Sequence, residues 1–139
     1  MSLRFLLDSN VLSEPLRPQP NENVMNMLSH HENEIATATI VWHELLFGCY
    51  RLPDSKKRTK IEKYLEEVVK PKIPLLPYDA KAATWHSQER VRLVQLGKTP
   101  PFADAQIAAI AQVSGLILVT NNVLDYRNFH KLQVENWHK

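Results

Sequence analysis

Four short apolar runs, at residues 3–7 (LRFLL), 34–38 (EIATA), 73–76 (IPLL) and 116–120 (LILVT), punctuate this chain. The segments between them have the length and apolar spacing of helices. Strands that alternate with helices must be joined by crossovers, and such crossovers build a parallel sheet sandwiched between helical layers. The expected fold is therefore α/β, with three layers and a central, mainly parallel sheet of four to five strands carrying helices on both faces. A fifth strand is expected within residues 132–137.

Local signals refine this outline. A short helix is expected over residues 10–16, stopped by the prolines at 15, 18 and 20, and a second over 21–31 with Val24, Met27 and Leu28 turned inward. Residues 40–50 read as a helix that Pro53 ends, and 54–69 as a charged helix with Ile61, Tyr64, Leu65 and Val68 along one side. Asp79 is placed to cap a long helix that Gly97 stops, and a further helix occupies 102–113. Met25, Trp42, Leu46 and the single cysteine, Cys49, are expected to pack in the core.

At 139 residues and 44% hydrophobic, the chain suits a single domain spanning 1–139. One cysteine permits no intrachain disulfide, no apolar stretch approaches 18 residues, and no basic flank with an apolar h-region opens the chain. A cytoplasmic protein away from the membrane is expected. The net charge is only +2, but Lys56, Lys57, Arg58 and Lys60, then Lys70 and Lys72, then Arg90, Arg92 and Lys98 form basic clusters suited to a polyanion or to the wet face of a helix.

Several carboxylates stand where a plain fold has no use for them. In a parallel α/β sheet ligands gather beyond the carboxyl ends of the strands. The first run ends in Asp8, and LILVT runs through Thr120 into Asn121, Asn122 and, soon after, Asp125. Glu44 shares a helix face with Ile40, Phe47 and Gly48, and Asp104 begins a stripe with Ile107, Ala108 and Ala111. Singly, each has an ordinary explanation: Asp8 and Asp104 at helix starts, Glu44 beside a buried cation, Asp125 in a turn. Together at one end of a small sheet they would repel unless a proton or a cation sat among them.

Hard oxygen donors without paired Cys or His select Mg2+ or Mn2+ rather than zinc. His43-Glu44 lacks the second histidine of an H-E-x-x-H site because residue 47 is Phe. With three glycines and no G-K-S/T or G-x-S-x-G, neither a phosphate-cradling loop nor a nucleophile elbow is present. A carboxylate cage for divalent ions suits phosphodiester hydrolysis, and the basic clusters suit nucleic acid.

Four blocks, FLLDSNVLSEPLRP at 5–18, ATIVWHELLFG at 38–48, FADAQIAAIA at 102–111 and LILVTNNVLDYRNF at 116–129, closing with VENW, resemble in this order the PIN-domain ribonucleases. The similarity is strongest to the VapC-type toxins of type II toxin-antitoxin pairs, including their FitB-like branch, and it covers essentially the whole chain. The resemblance implies a PIN-like fold in which Asp8, Glu44 and Asp104 are metal ligands, with Asn122 or Asp125 completing the set and Thr120 steadying the acids or bound water. The first block reads Asp-Ser-Asn where Asp-Thr-Asn is usual, which keeps the hydroxyl.

Further implications are Mg2+-dependent endonucleolytic hydrolysis of RNA, tRNA or rRNA, by metal-activated water, with Mn2+ able to substitute. Also implied are a homodimer and a VapB-like antitoxin whose C-terminal segment fills the active-site groove, in an assembly that reaches DNA through the antitoxin. Alternative readings are a DNA-cleaving or structure-specific PIN nuclease and a non-catalytic module that binds a basic partner.

Overall fold

In the computed structural model, which describes residues 2–139, the first apolar run forms β1 (Phe5–Leu7), buried at every position. Parallel strands β2 (Ile35–Ala38) and β4 (Ile117–Val119) flank it, and β3 (Leu75–Leu76) and β5 (Val134–Glu135) form the edges, giving the order β3-β2-β1-β4-β5. Leu6 lies opposite Ala36 and Leu118, all fully buried, because helices cover both faces of a parallel sheet and leave no wet side for alternation. The edge strands have two residues each, which limits unpaired backbone there.

From β1 the chain steps outward to β2 and β3, then returns past β1 to β4 and β5. Right-handed crossovers running in opposite directions place their helices on opposite faces. The strand order therefore reverses between β1 and β4, and the carboxyl ends of these two strands border the crevice that such a reversal opens.

The helices start where the local chemistry allows. Asp8 precedes α1 (Ser9–Leu12); Asn21 caps α2 (Glu22–His30) by accepting from the Val24 N–H at 3.0 Å; α3 (Thr39–Tyr50) follows β2 directly. Ser55 caps α4 (Lys56–Tyr64), and Asp79 caps α6 (Ala80–Gln95), which follows the short α5 (Lys70–Lys72), by accepting from the Ala82 N–H at 2.9 Å. Gly97 terminates the α6 segment at φ +69°, a left-handed conformation that glycine adopts without a Cβ clash. The last helix is α7 (Phe102–Val113).

Three expectations need correction. The helix expected over 10–16 breaks at Ser13 into α1 and a 3-10 turn, Glu14–Leu16, because Pro15 tightens the chain there. The apolar side drawn through Val68 is displaced: residues Leu65–Val69 form a π turn, in which the Lys70 N–H reaches back five residues to the Leu65 carbonyl. The wider turn carries Val69 into the core and leaves Val68 40% exposed. Met25 is likewise exposed on α2, whereas Trp42 and Leu46 pack against the core and Cys49 is buried.

The C-terminal residues are tied back to the body. Trp137 packs edge-on to Phe5 at 5.1 Å and stacks with His31, and its carbonyl accepts from Asn23 Nδ2 at 2.7 Å. Of the basic clusters, Lys56, Lys57, Lys60, Lys70, Lys72, Arg90 and Lys98 are exposed, but Arg92 is held by Glu89 and by the Asn128 carbonyl. Among the described residues no helix is long and apolar enough to cross a membrane. Leu118→Ala, at the centre of the sheet, is expected to lower unfolding stability by about 2–5 kcal/mol in denaturant titration, since the close-packed layers on both sides cannot collapse into the void.

Candidate active site

Because Leu7 pairs with Val119, the next residues of both strands emerge side by side, and these are Asp8 and Thr120. The Asp8 backbone N–H donates to the Val119 carbonyl at 2.9 Å, which fixes the start of the site to the sheet. Its two carboxylate oxygens do different work. Oδ1 caps α1 by accepting from the Ser9 N–H at 2.8 Å; Oδ2 accepts from Thr120 Oγ1 at 2.9 Å and from Tyr126 Oη at 3.3 Å. Capping and site formation are thus both true of this residue.

Thr120 is fully buried, and its hydroxyl also accepts from Asn10 Nδ2 at 3.2 Å and from the Asn122 N–H at 3.0 Å. Asn10 Oδ1 in turn accepts from the Asn121 N–H at 2.8 Å, so one side chain laces the end of β1 to the end of β4. Such a network restrains the rotamers of its members.

The other two acids arrive from helices. Glu44 projects from the middle of α3, where burial, then the charge of Asp8, then that of Asp104 push its pKa above the ordinary value; a Ser9 hydrogen bond opposes this. The neighbours acting on it through charge are Asp8 and Asp104 and, in the opposite sense and more weakly, His43, and no arginine or lysine is among them. Asp104 lies in the first turn of α7, and its pKa is also raised, first by burial, then by Asp8 and by Asp125, with the Tyr126 hydroxyl acting in the opposite sense. Desolvation and like charge both disfavour the ionised form, so the two causes reinforce each other.

Asp125 and Asn122 sit on and before the 3-10 turn Val123–Tyr126, both exposed. Asp125 reaches the site through its charge on Asp104, while Asn122 joins through its backbone N–H to Thr120 and its side chain does not cap the turn. The structure thus brings Asp8, Glu44, Asp104 and Thr120 together, with Asp125 and Asn122 at the rim.

Two residues of the site carry no role that the sequence alone suggests. Asn10 lies inside the Asp-Ser-Asn block, where its amide reads as part of a helix start. Tyr126 is 2% exposed and looks in sequence like a core aromatic; only the fold aims its hydroxyl at Asp8 and Asp104.

Among the described residues no three His, Cys, Asp or Glu side chains close tightly enough to ligate one ion as they stand. The donor set nevertheless fits a hard divalent cation. It consists of carboxylate oxygens, amide and hydroxyl groups, with two acids whose ionised forms are disfavoured by burial and by neighbouring carboxylates.

The family model described as PIN domain matches residues 5–128. The chain belongs to the PIN-domain family. Among PIN relatives, it is 34% identical over 137 residues to Toxin FitB of Neisseria gonorrhoeae, covering 96% of this chain and 99% of that one. It is 28% identical over 135 residues to the tRNA(fMet)-specific endonuclease VapC of Shigella flexneri, covering 97% and 98%. The PIN fold superposes on a chain of a FitAB complex bound to an IR36 DNA fragment with a TM-score of 0.88 and 30% identity, covering 97% of this chain and 96% of that one.

Proposed function

We propose that this PIN-domain chain is a Mg2+-dependent endoribonuclease, with Mn2+ able to substitute, acting in the cytoplasm as the toxin of a VapBC-type pair. Residues 1–139 form its single domain, and it works as a homodimer restrained by a VapB-like antitoxin that links the assembly to DNA. The observation that supports the enzymatic reading is that Asp8, at the strand-order reversal, lies within charge range of both Glu44 and Asp104, whose pKa values are raised. The partner reading rests on the likeness to FitB and to a FitAB complex bound to DNA.

In this reading Asp8, Glu44 and Asp104 hold the ion, and Asn122 or Asp125 contributes a further oxygen. A divalent ion supplies positive charge that acidifies water and steadies the negative charge developing on the phosphodiester. Thr120 and Asn10 keep the Asp8 carboxylate in one orientation, so it does not have to be ordered when RNA arrives. The exposed lysines of α4 attract the RNA backbone. Attack by water rather than by the ribose 2′-oxygen leaves 5′-phosphate and 3′-hydroxyl ends.

Purified protein is expected to cleave RNA in Mg2+, to stop in EDTA, and to yield 5′-phosphorylated fragments when their ends are mapped. Parallel incubation with tRNA, rRNA and single-stranded DNA separates the ribonuclease from a DNA nuclease of the same fold. Absence of EDTA-sensitive cleavage of every substrate, with no calorimetric signal for Mn2+, would leave only the partner-binding module.

A further inference from the structure

We propose that Tyr126 is a positioning residue of the acidic site, its hydroxyl bridging Asp8 and Asp104 so that the remaining oxygens of both carboxylates face a divalent cation in a fixed arrangement. This rests on the nuclease reading above and deepens it. Tyr126 Oη stands 3.3 Å from Asp8 Oδ2 and 3.5 Å from Asp104 Oδ1. An O–H···O bond committed to one acceptor is normally about 2.7–2.8 Å long. Two longer and similar distances place the hydroxyl within reach of both carboxylates and close to neither alone.

This placement matters because these acids come from different layers, Asp8 from the end of β1 and Asp104 from α7. Repulsion between them drives the helix away from the strand end, and a neutral donor placed between them offsets it. A phenol suits this position because it is an uncharged donor near neutral pH, where a second carboxylate would add to the repulsion.

Asp8 Oδ2 accepts from Thr120, from Tyr126 and, at 3.5 Å, from Asn10 Nδ2, so the donors gather on that oxygen and leave Oδ1, engaged by one backbone N–H, with room for a cation. Asp104 likewise keeps Oδ2 free of the bridge. The ring is held independently of the hydroxyl. It ends the 3-10 turn anchored by the Asn122 N–H on Thr120, packs 6.0 Å from the Phe129 ring, and is 2% exposed.

Tyr126→Phe removes one oxygen and keeps this packing. It is expected to remain folded, to leave the KM for RNA unchanged, to weaken Mn2+ binding measured by calorimetry by about 10- to 100-fold, and to raise the Mg2+ concentration for half-maximal cleavage by a similar factor. A purely structural tyrosine would alter thermal stability without moving either metal constant. Wild-type Mn2+ affinity and Mg2+ dependence in a folded Tyr126→Phe protein overturns the assignment while leaving the nuclease reading in place. Failure of the wild-type protein to bind Mn2+ overturns both. Should the variant not fold, 3-fluorotyrosine placed at position 126 of the otherwise native chain decides the matter: its fluorine resonance shifts on saturation with Mg2+ if the hydroxyl bridges the acids, and an unmoved resonance overturns the proposal.

Discussion

Asp104→Asn is expected to reduce Mg2+-supported RNA cleavage by more than about 100-fold while leaving the protein folded and more stable at neutral pH. The loss of activity should exceed the 10- to 100-fold typical of a supporting residue, because in the proposed reading the substitution removes a carboxylate oxygen that would hold the ion. The gain in stability follows from linkage. The pKa of Asp104 is raised in the folded state, so its ionised form is disfavoured there relative to the unfolded chain, and an uncharged isostere removes that cost.

Asp8→Ala should be equally inactive but should destabilise. It deletes the α1 cap, costing about 0.5–2 kcal/mol, and deprives the buried Thr120 hydroxyl of its carboxylate acceptor, at about 1–3 kcal/mol, while Tyr126 keeps only Asp104. Single-turnover cleavage and thermal unfolding of the two variants test the pair. An Asp104→Asn protein that cleaves at the wild-type rate sinks the metal-ligand assignment.

Saturating Mg2+ is expected to raise the melting temperature of the wild-type protein by roughly 5–10 °C, and to do nothing for Asp104→Asn. A ligand at 100 times its Kd stabilises the folded state by about 2.7 kcal/mol, and a domain of this size gains about 3 °C per kcal/mol. The effect should grow with pH. Glu44 and Asp104 have raised pKa values, so the stability they contribute is complete below their unfolded values of 4.5 and 3.8 and is lost as pH rises through the folded values. The metal-free protein therefore carries most of its destabilising charge at neutral and higher pH, where the ion has most to relieve.

Glu14 and Glu89 behave in the opposite sense. Their pKa values are lowered, Glu14 chiefly by the Asn21 N–H; for Glu89 burial is the largest single effect and raises the pKa, but Arg92 and the His130 N–H together outweigh it. Their stabilisation is complete above pH 4.5 and disappears as the pH falls through their folded values. The difference between melting curves with Mg2+ and with EDTA, followed from about pH 5 to 8, isolates the site from these structural acids. A difference that stays at zero throughout would show that the acids hold no ion.

Much of this molecule was legible in its residues. Runs such as LILVT, flanked by helix-length segments, define a parallel sheet because such runs satisfy their backbone only in a ladder and bury both faces. Asp8, Glu44 and Asp104 each had an ordinary local explanation and stood out only jointly, because several carboxylates delivered to one end of a small sheet repel one another. Each single signal is local, carried by spacing and residue type over a few positions.

What the chain does with Val68, Asn10 and Tyr126 was decided elsewhere. A π turn displaces Val68 from the core, since one wider hydrogen-bonded turn rotates everything after it, and no residue between 65 and 69 announces it. Asn10 and Tyr126 acquire their roles from contacts between distant parts of the sequence, Asn10 to Thr120 and Tyr126 to Asp8. The residue types alone determined which strands and helices form and which acids are out of place. Only the tertiary structure, through the reversal of strand order between β1 and β4, determined which hydroxyls and amides come close enough to hold those acids, because hydrogen-bond geometry is set by distance in space and not along the chain.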